Sequence, residues 1–208
     1  MGFALAAEAA RRGADVTLIA GPTHLLPPQS VRVVRVVTAE EMFNAALNQA
    51  QGADLVLKAA AVSDYRPEER ARGKLKKETL RRRATTGASG DRAIALRLLP
   101  TPDILEELGR RKKPNQVLVG FAAETDEMER NARRKLRRKN LDFVVANRIG
   151  VQGEGFESET NRALVLGRAG ERVDLPSMSM DVMARAILDL VAPILAQRRR
   201  TSGGRRTR

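Results

Sequence analysis

The chain has 208 residues, and its hydrophobic and charged fractions of 42% and 30% are typical of a globular domain. It contains no Cys and a single His, His24, which excludes disulfides, Cys-based zinc sites and a His-dependent catalytic triad. The formal net charge of +13 points towards nucleic acid, but aromatic residues make up only 3% of the chain, too few for a base-stacking surface.

The first half of the chain alternates between helical and extended patterns. Apolar residues at helical spacing predict a helix over 3–12, with Gly13 as its C-terminal cap. Thr38 and Glu41 form a capping box, which predicts a second helix that continues to about residue 50. Continuous apolar runs predict buried strands at 14–21, 31–37 and 53–62.

The second half begins with an irregular stretch. Residues 63–90 combine Pro, Gly and dense charge, including the basic run ARGKLKKETLRRR, and predict a long loop that is either functional or disordered. Beyond it, Thr101 is expected to cap a helix over 101–111, with Pro102 in the first helical position. The remaining pattern predicts strands at 93–99, 116–124 and 142–147, helices at 126–139 and 179–197, and a short hairpin within 163–176.

This alternation predicts a three-layer α/β fold around a mainly parallel sheet, with the long basic loop and the small β-hairpin as additions. The order is unusual, because such domains normally open with a strand and a Gly-rich turn that leads into the first helix. No G-x-G-x-x-G or Walker motif occurs in the chain. We expect one domain over 1–197, incomplete at its N-terminus, and a disordered basic tail over 198–208, which holds six Arg and no acidic residue.

Residues predicted at the carboxyl ends of the strands, where such sheets bind ligands, share a chemistry. Small residues at 59–61 would let a flat ligand approach the backbone, and Phe121 could pack on a base or sugar. Asp64 and Asp103 offer carboxylates for hydroxyls or for a hydrated divalent cation. The lysines of KLKK, residues 74–77, follow in the loop. A carboxylate combined with mobile lysines suits a metal-bound triphosphate, which needs charge neutralisation and orientation.

Each of these features also has a purely structural interpretation. Asp103 could mark only the start of a helix, and Phe121 is a residue type found more often in cores than in ligand contacts. Lys135 and Lys139 lie on a predicted helix so basic that a solvated face is the default interpretation. No single feature identifies a function.

Seven segments occur together in a specific order: MGFALAAEAARRGADVTLIAGP, AAAVSDYRP, KLKK, TPDIL, VGFAAET, RKLRRKNLDFVVAN and GFESETN. In this order they resemble the phosphopantothenate–cysteine ligase domain of the bacterial bifunctional coenzyme A biosynthesis protein. The resemblance runs from residue 1 to about residue 197. It implies a Rossmann-like fold and a homodimer.

The resemblance also implies a reaction. With CTP and Mg²⁺, the family joins 4′-phosphopantothenate to L-cysteine in coenzyme A biosynthesis. The substrate carboxylate attacks the α-phosphate of the nucleotide and gives an acyl-cytidylate and pyrophosphate. The amine of cysteine then attacks the activated acyl carbon.

The resemblance further assigns residues of a nucleotide site. Lys74 matches the catalytic lysine at the phosphates, and Asp64 lies near the nucleotide and its metal. Lys58 stands where the family usually has a small residue, whereas Lys135 and Lys139 match lysines that face the phosphates. In chain order, the matching positions are Lys58, Ala59, Ala60, Asp64, Lys74, Pro102, Asp103, Ile104, Leu105, Phe121, Lys135 and Lys139.

One departure from the family concerns the segment before MGFA. The family places there a Gly-rich strand and loop with a catalytic asparagine, and this sequence starts at Met1. The segment would supply the central strand, cradle phosphate and stabilise the acyl-nucleotide, so its absence puts the activity of the chain in question. A flavin-dependent decarboxylase, fused or separate, is the expected partner of the domain, and no flavin is expected in this chain.

Two other functions are weighed against the ligase. An NAD(P)-dependent Rossmann-type reductase would need the missing glycine fingerprint, and the chain has no Tyr-x-x-x-Lys pair. A basic nucleic-acid-binding module would be driven by the basic loop and the tail over 198–208, and we expect nucleic-acid binding only through the tail. No apolar run approaches eighteen residues and the N-terminus does not have the order of a signal peptide, so we expect a cytoplasmic protein without a membrane segment.

Overall fold

The computed structural model describes residues 1–69, 73–74, 76, 85–86, 92–93, 95–124, 127–148 and 160–203. The chain divides into two compact units: Met1–Ala61 with Asp103–Arg208, and Val62–Pro102. Most candidate residues belong to the first unit. Asp64, Lys74 and Pro102 belong to the second.

The elements are numbered in chain order. Those of the first unit are α1 (Gly2–Arg11), β1 (Val16–Ala20), β2 (Val31–Arg35), α2 (Ala39–Ala50), β3 (Leu55–Lys58), α3 (Ile104–Arg111), β8 (Val117–Glu124), α4 (Met128–Arg138), β9 (Phe143–Arg148), β10 (Thr160–Gly167), β11 (Arg172–Ser179) and α5 (Met180–Gly203). Those of the second unit are β4 (Tyr65–Pro67), β5 (Thr85–Thr86), β6 (Arg92–Ala93) and β7 (Leu98–Pro100).

A five-stranded sheet with the order β11-β10-β9-β8-β3 forms the centre of the first unit. β3, β8 and β9 are parallel, with Leu55 opposite Val117 and Val119 opposite Phe143. β10 and β11 extend the sheet as an antiparallel hairpin. The three parallel strands have almost continuously apolar sequences because helices cover both of their faces. The predicted α/β class with a mainly parallel sheet is confirmed.

Side chains that alternate along β8 pack against helices on opposite faces of the sheet. On one face, Val119 belongs to a buried cluster with Leu5 of α1 and Ile187 of α5. On the other face, Gly120 lies against Leu105 of α3. Full burial of one such aliphatic side chain contributes about 1.5–3 kcal/mol. The sheet is therefore the middle of three layers, as predicted.

β1 and β2 form a separate parallel pair, with Val16 opposite Val31. In the described part of the chain, β1 pairs only with β2, and β3 pairs only with β8, so each of β1 and β3 keeps one open edge. α1 packs on β1 and also on α5.

Two predicted helix-end signals hold. Gly13 follows the last residues of α1 with a φ of 82°, a left-handed conformation that glycine adopts without strain. At the start of α2, Thr38 Oγ1 accepts a hydrogen bond from the Glu41 N–H at 3.1 Å. The Glu41 carboxylate accepts in return from the N–H of Val37 at 2.7 Å, one residue before the cap.

The predicted cap of α3 is wrong. The helix begins at Ile104, and Asp103 caps it by accepting a hydrogen bond from the Glu106 N–H at 3.0 Å. Thr101 instead donates its hydroxyl to the carbonyl of Ser63 at 2.5 Å within the second unit. Thr101 lies two residues before the capping residue, and Pro102 precedes the helix instead of opening it.

α5 runs to Gly203, six residues past the predicted helix end at 197. Arg198 donates a hydrogen bond to the carboxylate of Asp142 at 2.5 Å, and Arg199 donates one to the carboxylate of Asp54 at 2.6 Å. These contacts hold residues that composition alone assigned to a disordered tail. Residues 204–208 lie outside the described part, and the domain boundary at 197 stays a prediction.

The second unit contains short antiparallel pairs. β4 pairs with β7, with Tyr65 opposite Pro100, and β5 pairs with β6. The strand predicted at 93–99 is therefore split between β6 and β7. Both belong to this unit, and neither is a strand of the central sheet. Residues 70–72, 75, 77–84 and 87–90 of the loop predicted over 63–90 lie outside the described residues.

Candidate functional site

The carboxyl ends of β3 and β8 lie side by side. Lys58, the last residue of β3, is the partner of Gly120 on β8, and Phe121 is the next residue of β8. Ala59 and Phe121 are both partly buried and pack against the core cluster, whereas Ala60 is exposed. The structure thus brings Lys58, the two small residues after it and Phe121 to one edge of the sheet.

The first turn of α1 also lies at this edge. A Cβ atom added to Gly2 would stand 3.8 Å from the Cβ of Ala59. The Leu5 N–H donates to the carbonyl of Met1 at 3.0 Å, so the helix is regular from its first residues. The backbone N–H groups of a first helical turn point away from the helix and are available to an anion.

Asp103 is the one carboxylate among the candidate residues of the first unit, and it has two hydrogen-bond donors. It caps α3 and accepts a charge-assisted hydrogen bond from the ammonium of Lys139. Burial alone would raise the pKa of Asp103, but the hydrogen bonds from Lys139 and the Glu106 N–H, with the charge of Lys58, lower it below its ordinary value. Asp103 is therefore a carboxylate at neutral pH that is bonded by Lys139 and influenced by the charge of Lys58.

Lys139 is positioned by a close approach of α3 to the end of α4. A Cβ atom at Gly109 would lie 2.0 Å from the carbonyl oxygen of Lys139, so only glycine permits this packing. Asn140 strengthens the contact by donating its side-chain amide to the Gly109 carbonyl at 2.8 Å. The side chain of Lys139 keeps only 15% of its exposure. Its pairing with Asp103 is therefore built into the packing of the two helices.

The remaining candidates of the first unit differ in exposure. Lys135 is half-buried on α4, one helical turn before Lys139. Ile104 and Leu105 are each only 3% exposed and belong to the interior. Their side chains are therefore not open to a ligand at the surface of this unit.

The candidates of the second unit lie near its β4–β7 pair. The carbonyl of Asp64 accepts a hydrogen bond from the Thr101 N–H at 2.9 Å, which ties the two ends of this unit together. The side chains of Asp64 and Pro102 are exposed. Lys74 is exposed as well, and no ion pair of its ammonium occurs among the described residues. A carboxylate and a lysine are thus both open to solvent in this unit.

Within the ranges that the structure describes, no group of three or more His, Cys, Asp or Glu side chains could hold a metal ion. Among the described helices, none is long and apolar enough to cross a membrane.

The sequence did not predict the pairing of Asp103 with Lys139. The two residues are 36 positions apart and come from different helices, and nothing in their local pattern links them. The glycine in EELGRR was an available signal, because a glycine inside a helix costs about 1 kcal/mol relative to alanine and so tends to have a packing reason. At Gly109 the packing reason is the carbonyl of Lys139, which leaves no room for a Cβ atom.

Comparison with known proteins identifies relatives over almost the whole chain. A protein-family model described as the DNA/pantothenate metabolism flavoprotein C-terminal domain matches residues 1–195. The coenzyme A biosynthesis bifunctional proteins CoaBC of Vibrio cholerae and Bacillus subtilis are 37% and 39% identical to the chain over 191 and 198 residues. These matches cover 92% and 95% of the chain but 45% and 46% of the relatives, so the chain spans about half of their length.

Solved structures also identify relatives over almost the whole chain. The crystal structure of the C-terminal domain of a coenzyme A biosynthesis bifunctional protein CoaBC is 34% identical, with a TM-score of 0.74, and the match covers 94% of this chain and 82% of that one. The DNA/pantothenate metabolism flavoprotein from Streptococcus pneumoniae is 20% identical with a TM-score of 0.67, covering 92% and 86% of the two chains, and shares the fold.

Proposed function

Because the chain belongs to the family of DNA/pantothenate metabolism flavoprotein C-terminal domains, we propose that it carries out the CTP-dependent ligation of 4′-phosphopantothenate and L-cysteine in coenzyme A biosynthesis. Similarity to the solved CoaBC C-terminal domain over nearly the whole chain is the observation that carries this proposal. It favours the ligase over the reductase and nucleic-acid-binding alternatives.

The proposed reaction has two steps. A carboxylate oxygen of 4′-phosphopantothenate attacks the α-phosphorus of CTP, the bond to the bridging oxygen breaks, and pyrophosphate leaves. The amine nitrogen of L-cysteine then attacks the acyl carbon of the acyl-cytidylate, CMP leaves with the bonding electrons, and the amine proton passes to solvent. Both steps concentrate negative charge on phosphate oxygens, so positioned cations are what the protein must provide.

The first unit offers such cations near the carboxyl ends of β3 and β8. Asp103 holds Lys139 in place through a hydrogen bond, and the charge of Lys58 also acts on Asp103. We propose that the cytidine lies on Ala59, Ala60 and Phe121, that the N–H groups at Ile104 and Leu105 bind it, and that Lys58, Lys135 and Lys139 face the phosphates. Asp103 then acts as a positioning residue for Lys139 and as an acceptor for the nucleotide.

Residues of the second unit complete the proposal. Lys74 is proposed to neutralise and orient the triphosphate as the catalytic lysine, and Pro102 to contact the nucleotide. Mg²⁺ bound with a nucleotide uses one or two protein carboxylates, with phosphate oxygens and water as its other ligands. An exposed single carboxylate such as Asp64 fits that demand, and the ion held there would neutralise phosphate charge.

The test is release of pyrophosphate from CTP in the presence of 4′-phosphopantothenate, with ATP as the competing nucleotide. It is measured on this chain and on a version extended by the Gly-rich strand and loop that the family places before MGFA. We expect the extended version to release pyrophosphate only with both substrates and to prefer CTP. The proposal would be refuted if the extended version showed no turnover and no protection against thermal unfolding by CTP with Mg²⁺.

Three further properties belong to the same proposal. We expect a homodimer, which light scattering of the purified chain tests by giving twice the chain mass. We expect a cytoplasmic enzyme whose partner, fused or separate, is a flavin-dependent decarboxylase. The purified chain itself should show no flavin absorbance.

A further inference from the structure

Asn140 follows Lys139, the C-terminal capping residue of α4, and has a left-handed conformation with a φ of 51°. Its N–H donates to the carbonyl of Arg137 at 3.2 Å, and the N–H of Leu141 donates to the carbonyl of Leu136 at 3.0 Å. These two hydrogen bonds form a Schellman motif, in which a left-handed residue turns the chain away from the helix. The conformation of Asn140 therefore determines how the backbone leaves α4 at Lys139.

The side-chain amide of Asn140 is bonded at both of its polar atoms. Its nitrogen donates to the Gly109 carbonyl in α3 at 2.8 Å, and its oxygen accepts from the guanidinium of Arg168, between β10 and β11, at 2.8 Å. A carbonyl only accepts and a guanidinium only donates, so these two partners fix the orientation of the amide. The residue that follows Lys139 is thus tied to α3 and to the β10–β11 turn.

A buried lysine holds the backbone of Asn140. The ammonium of Lys112 donates to the Asn140 carbonyl at 2.6 Å and to the Asp142 carboxylate at 3.0 Å. The side chain of Lys112 keeps only 8% of its exposure. An ammonium shielded from water keeps its partners, because the loss of one would leave a buried charge less well paired. Asn140 is therefore held through its carbonyl as well as through its side chain.

These contacts bear on the ammonium of Lys139. The carbonyl oxygen of Lys139 would lie 2.0 Å from a Cβ atom at Gly109, and Asn140 binds the carbonyl of the same glycine. With its backbone fixed against α3, Lys139 extends its side chain to Asp103, which caps the start of that helix. A lysine side chain is a flexible four-carbon stem, so a fixed backbone limits the positions that its ammonium can take.

We propose that Asn140 is a positioning residue for Lys139, whose ammonium it holds beside Asp103 for the phosphates of the nucleotide. That Asn140 holds Lys139 on Asp103 does not depend on the reaction. That the held ammonium serves a nucleotide rests on the proposed ligase function. Without the amide of Asn140, Lys139 spends part of its time away from Asp103, and the affinity for CTP falls with the fraction of protein in which Lys139 is in place.

The test uses Asn140→Gly in the full chain. Glycine adopts the left-handed conformation without strain, so the end of α4 is kept and the amide alone is lost. Asn140 is exposed, so its truncation leaves no buried cavity. Ser30→Gly is the matched control, because Ser30 is also exposed and left-handed, with a φ of 59°, and lies just before β2. A difference between the two variants therefore reports the amide of Asn140.

The first readout is the pKa of the Asp103 carboxyl, followed by ¹³C NMR of the labelled side chain. Burial raises this pKa and the hydrogen bond from Lys139 lowers it, so the pKa rises when Lys139 moves away. We expect Asn140→Gly to raise the pKa of Asp103 towards its value in Lys139→Gln, and Ser30→Gly to leave it unchanged. A wild-type pKa of Asp103 in Asn140→Gly overturns the proposal, since Lys139 would then stay in place without the amide.

The second readout is the Kd of CTP with Mg²⁺, measured by calorimetric titration. It should rise about threefold to tenfold in Asn140→Gly, the range expected from one hydrogen bond, and stay unchanged in Ser30→Gly. In a Lys139→Gln background, Asn140→Gly should have no further effect on this Kd. Equal losses of affinity with and without Lys139 overturn the proposal, because Asn140 would then act on the nucleotide by another route.

The two readouts together separate this inference from the ligase function. A raised pKa of Asp103 in a chain that binds no CTP would keep Asn140 as the residue that holds Lys139 and refute the nucleotide site. CTP binding with the pKa of Asp103 and the Kd both unaltered by Asn140→Gly would keep the nucleotide site and refute the role of Asn140. A raised pKa with an unaltered Kd overturns the proposal as well, because the held ammonium would not serve the nucleotide.

Discussion

The ammonium of Lys139 donates a hydrogen bond to the carboxylate of Asp103, and the same carboxylate caps the N-terminus of α3. One side chain thus fixes the start of one helix and the cation at the end of another. The arrangement places a structural role and a proposed binding role on Asp103, and the two roles respond differently to substitution.

Replacing Asp103 separates these roles. Asp103→Ala removes the cap and should lower the free energy of unfolding by about 1 kcal/mol. Asp103→Asn keeps an acceptor for the Glu106 N–H and should cost less than the Ala variant, but it removes the charge that holds Lys139. Urea denaturation of both variants measures the difference. Equal stability losses would show that the cap contributes nothing.

A second prediction concerns the buried Asp142, which is 3% exposed. Its carboxylate accepts from Lys112 at 3.0 Å, from Arg198 at 2.5 Å and from the Leu118 N–H at 2.7 Å. Asp142→Asn leaves both cations without their counter-charge, so we expect a loss of roughly 3 kcal/mol or more in denaturant unfolding. Asp174→Asn removes an exposed carboxylate and is the control, expected to cost less than about 1 kcal/mol. Similar losses in the two variants would contradict the prediction.

The same cluster predicts how stability changes with pH. Burial acts to raise the pKa of Asp142, but the hydrogen bonds from Arg198, the Leu118 N–H and Lys112 lower it below its ordinary value. A lowered folded-state pKa gives stability that is complete above the unfolded value of about 3.9 and is lost as the pH falls through the folded value. Unfolding free energies should therefore fall below about pH 4.

Asp142→Asn should flatten this fall without abolishing it. Hydrogen bonds from Arg11 and Arg12 lower the pKa of Glu8 to about 2, and a hydrogen bond from Arg110 leads the causes that lower that of Glu107 to about 2. These two carboxylates contribute in the same direction over the same acidic range. Urea titrations between neutral pH and about pH 2 compare the slopes. An unchanged slope in Asp142→Asn would show that its pKa does not differ between the folded and unfolded states.

The layers of the first unit could be predicted from the sequence because the patterns that predict its helices and strands are local. The apolar runs of β8 and β9 and the capping box at Thr38 and Glu41 require only neighbours in the chain. α5 shows where local signals stop: composition assigns 198–203 to a disordered tail, yet Arg198 is held by Asp142 from a distant strand end. Tertiary ion pairs of this kind decide a helix end that propensity leaves open.

The candidate site likewise contains some residues whose positions local patterns predict and others whose positions they do not. Residues at strand ends, such as Lys58 and Phe121, are placed by the periodicity of β3 and β8 and could be predicted to meet. Asp103 meets Lys139 only because Gly109 lets two helices touch, which no local pattern encodes.

A further prediction concerns Gly120, which lies near the carboxyl end of β8. A Cβ atom there would lie 2.7 Å from Leu105 Cδ2 and 2.8 Å from Leu141 Cδ1. Gly120→Ala should therefore force these side chains to shift and cost about 1–3 kcal/mol. Gly52→Ala is the matched control, because a Cβ atom there meets nothing within 4 Å. Thermal unfolding distinguishes the two, and an unaltered Tm for Gly120→Ala would show that the two leucines relax freely.

The last prediction concerns Lys74, whose proposed role can be tested apart from stability. Its side chain is exposed, so Lys74→Gln should leave the thermal unfolding of the protein unchanged. If Lys74 neutralises the triphosphate, pyrophosphate release in the version that carries the upstream loop should fall about 100-fold, the cost of removing one positioned charge-stabilising group. Arg97→Gln removes another exposed cation of the same unit and should keep full activity.

The loss of activity in Lys74→Gln should appear mainly in kcat, since charge develops on the phosphates as the bond to pyrophosphate breaks. A stable Lys74→Gln protein with undiminished turnover would remove Lys74 from the site, and a loss shared by Arg97→Gln would reduce its role to the general positive charge of this unit.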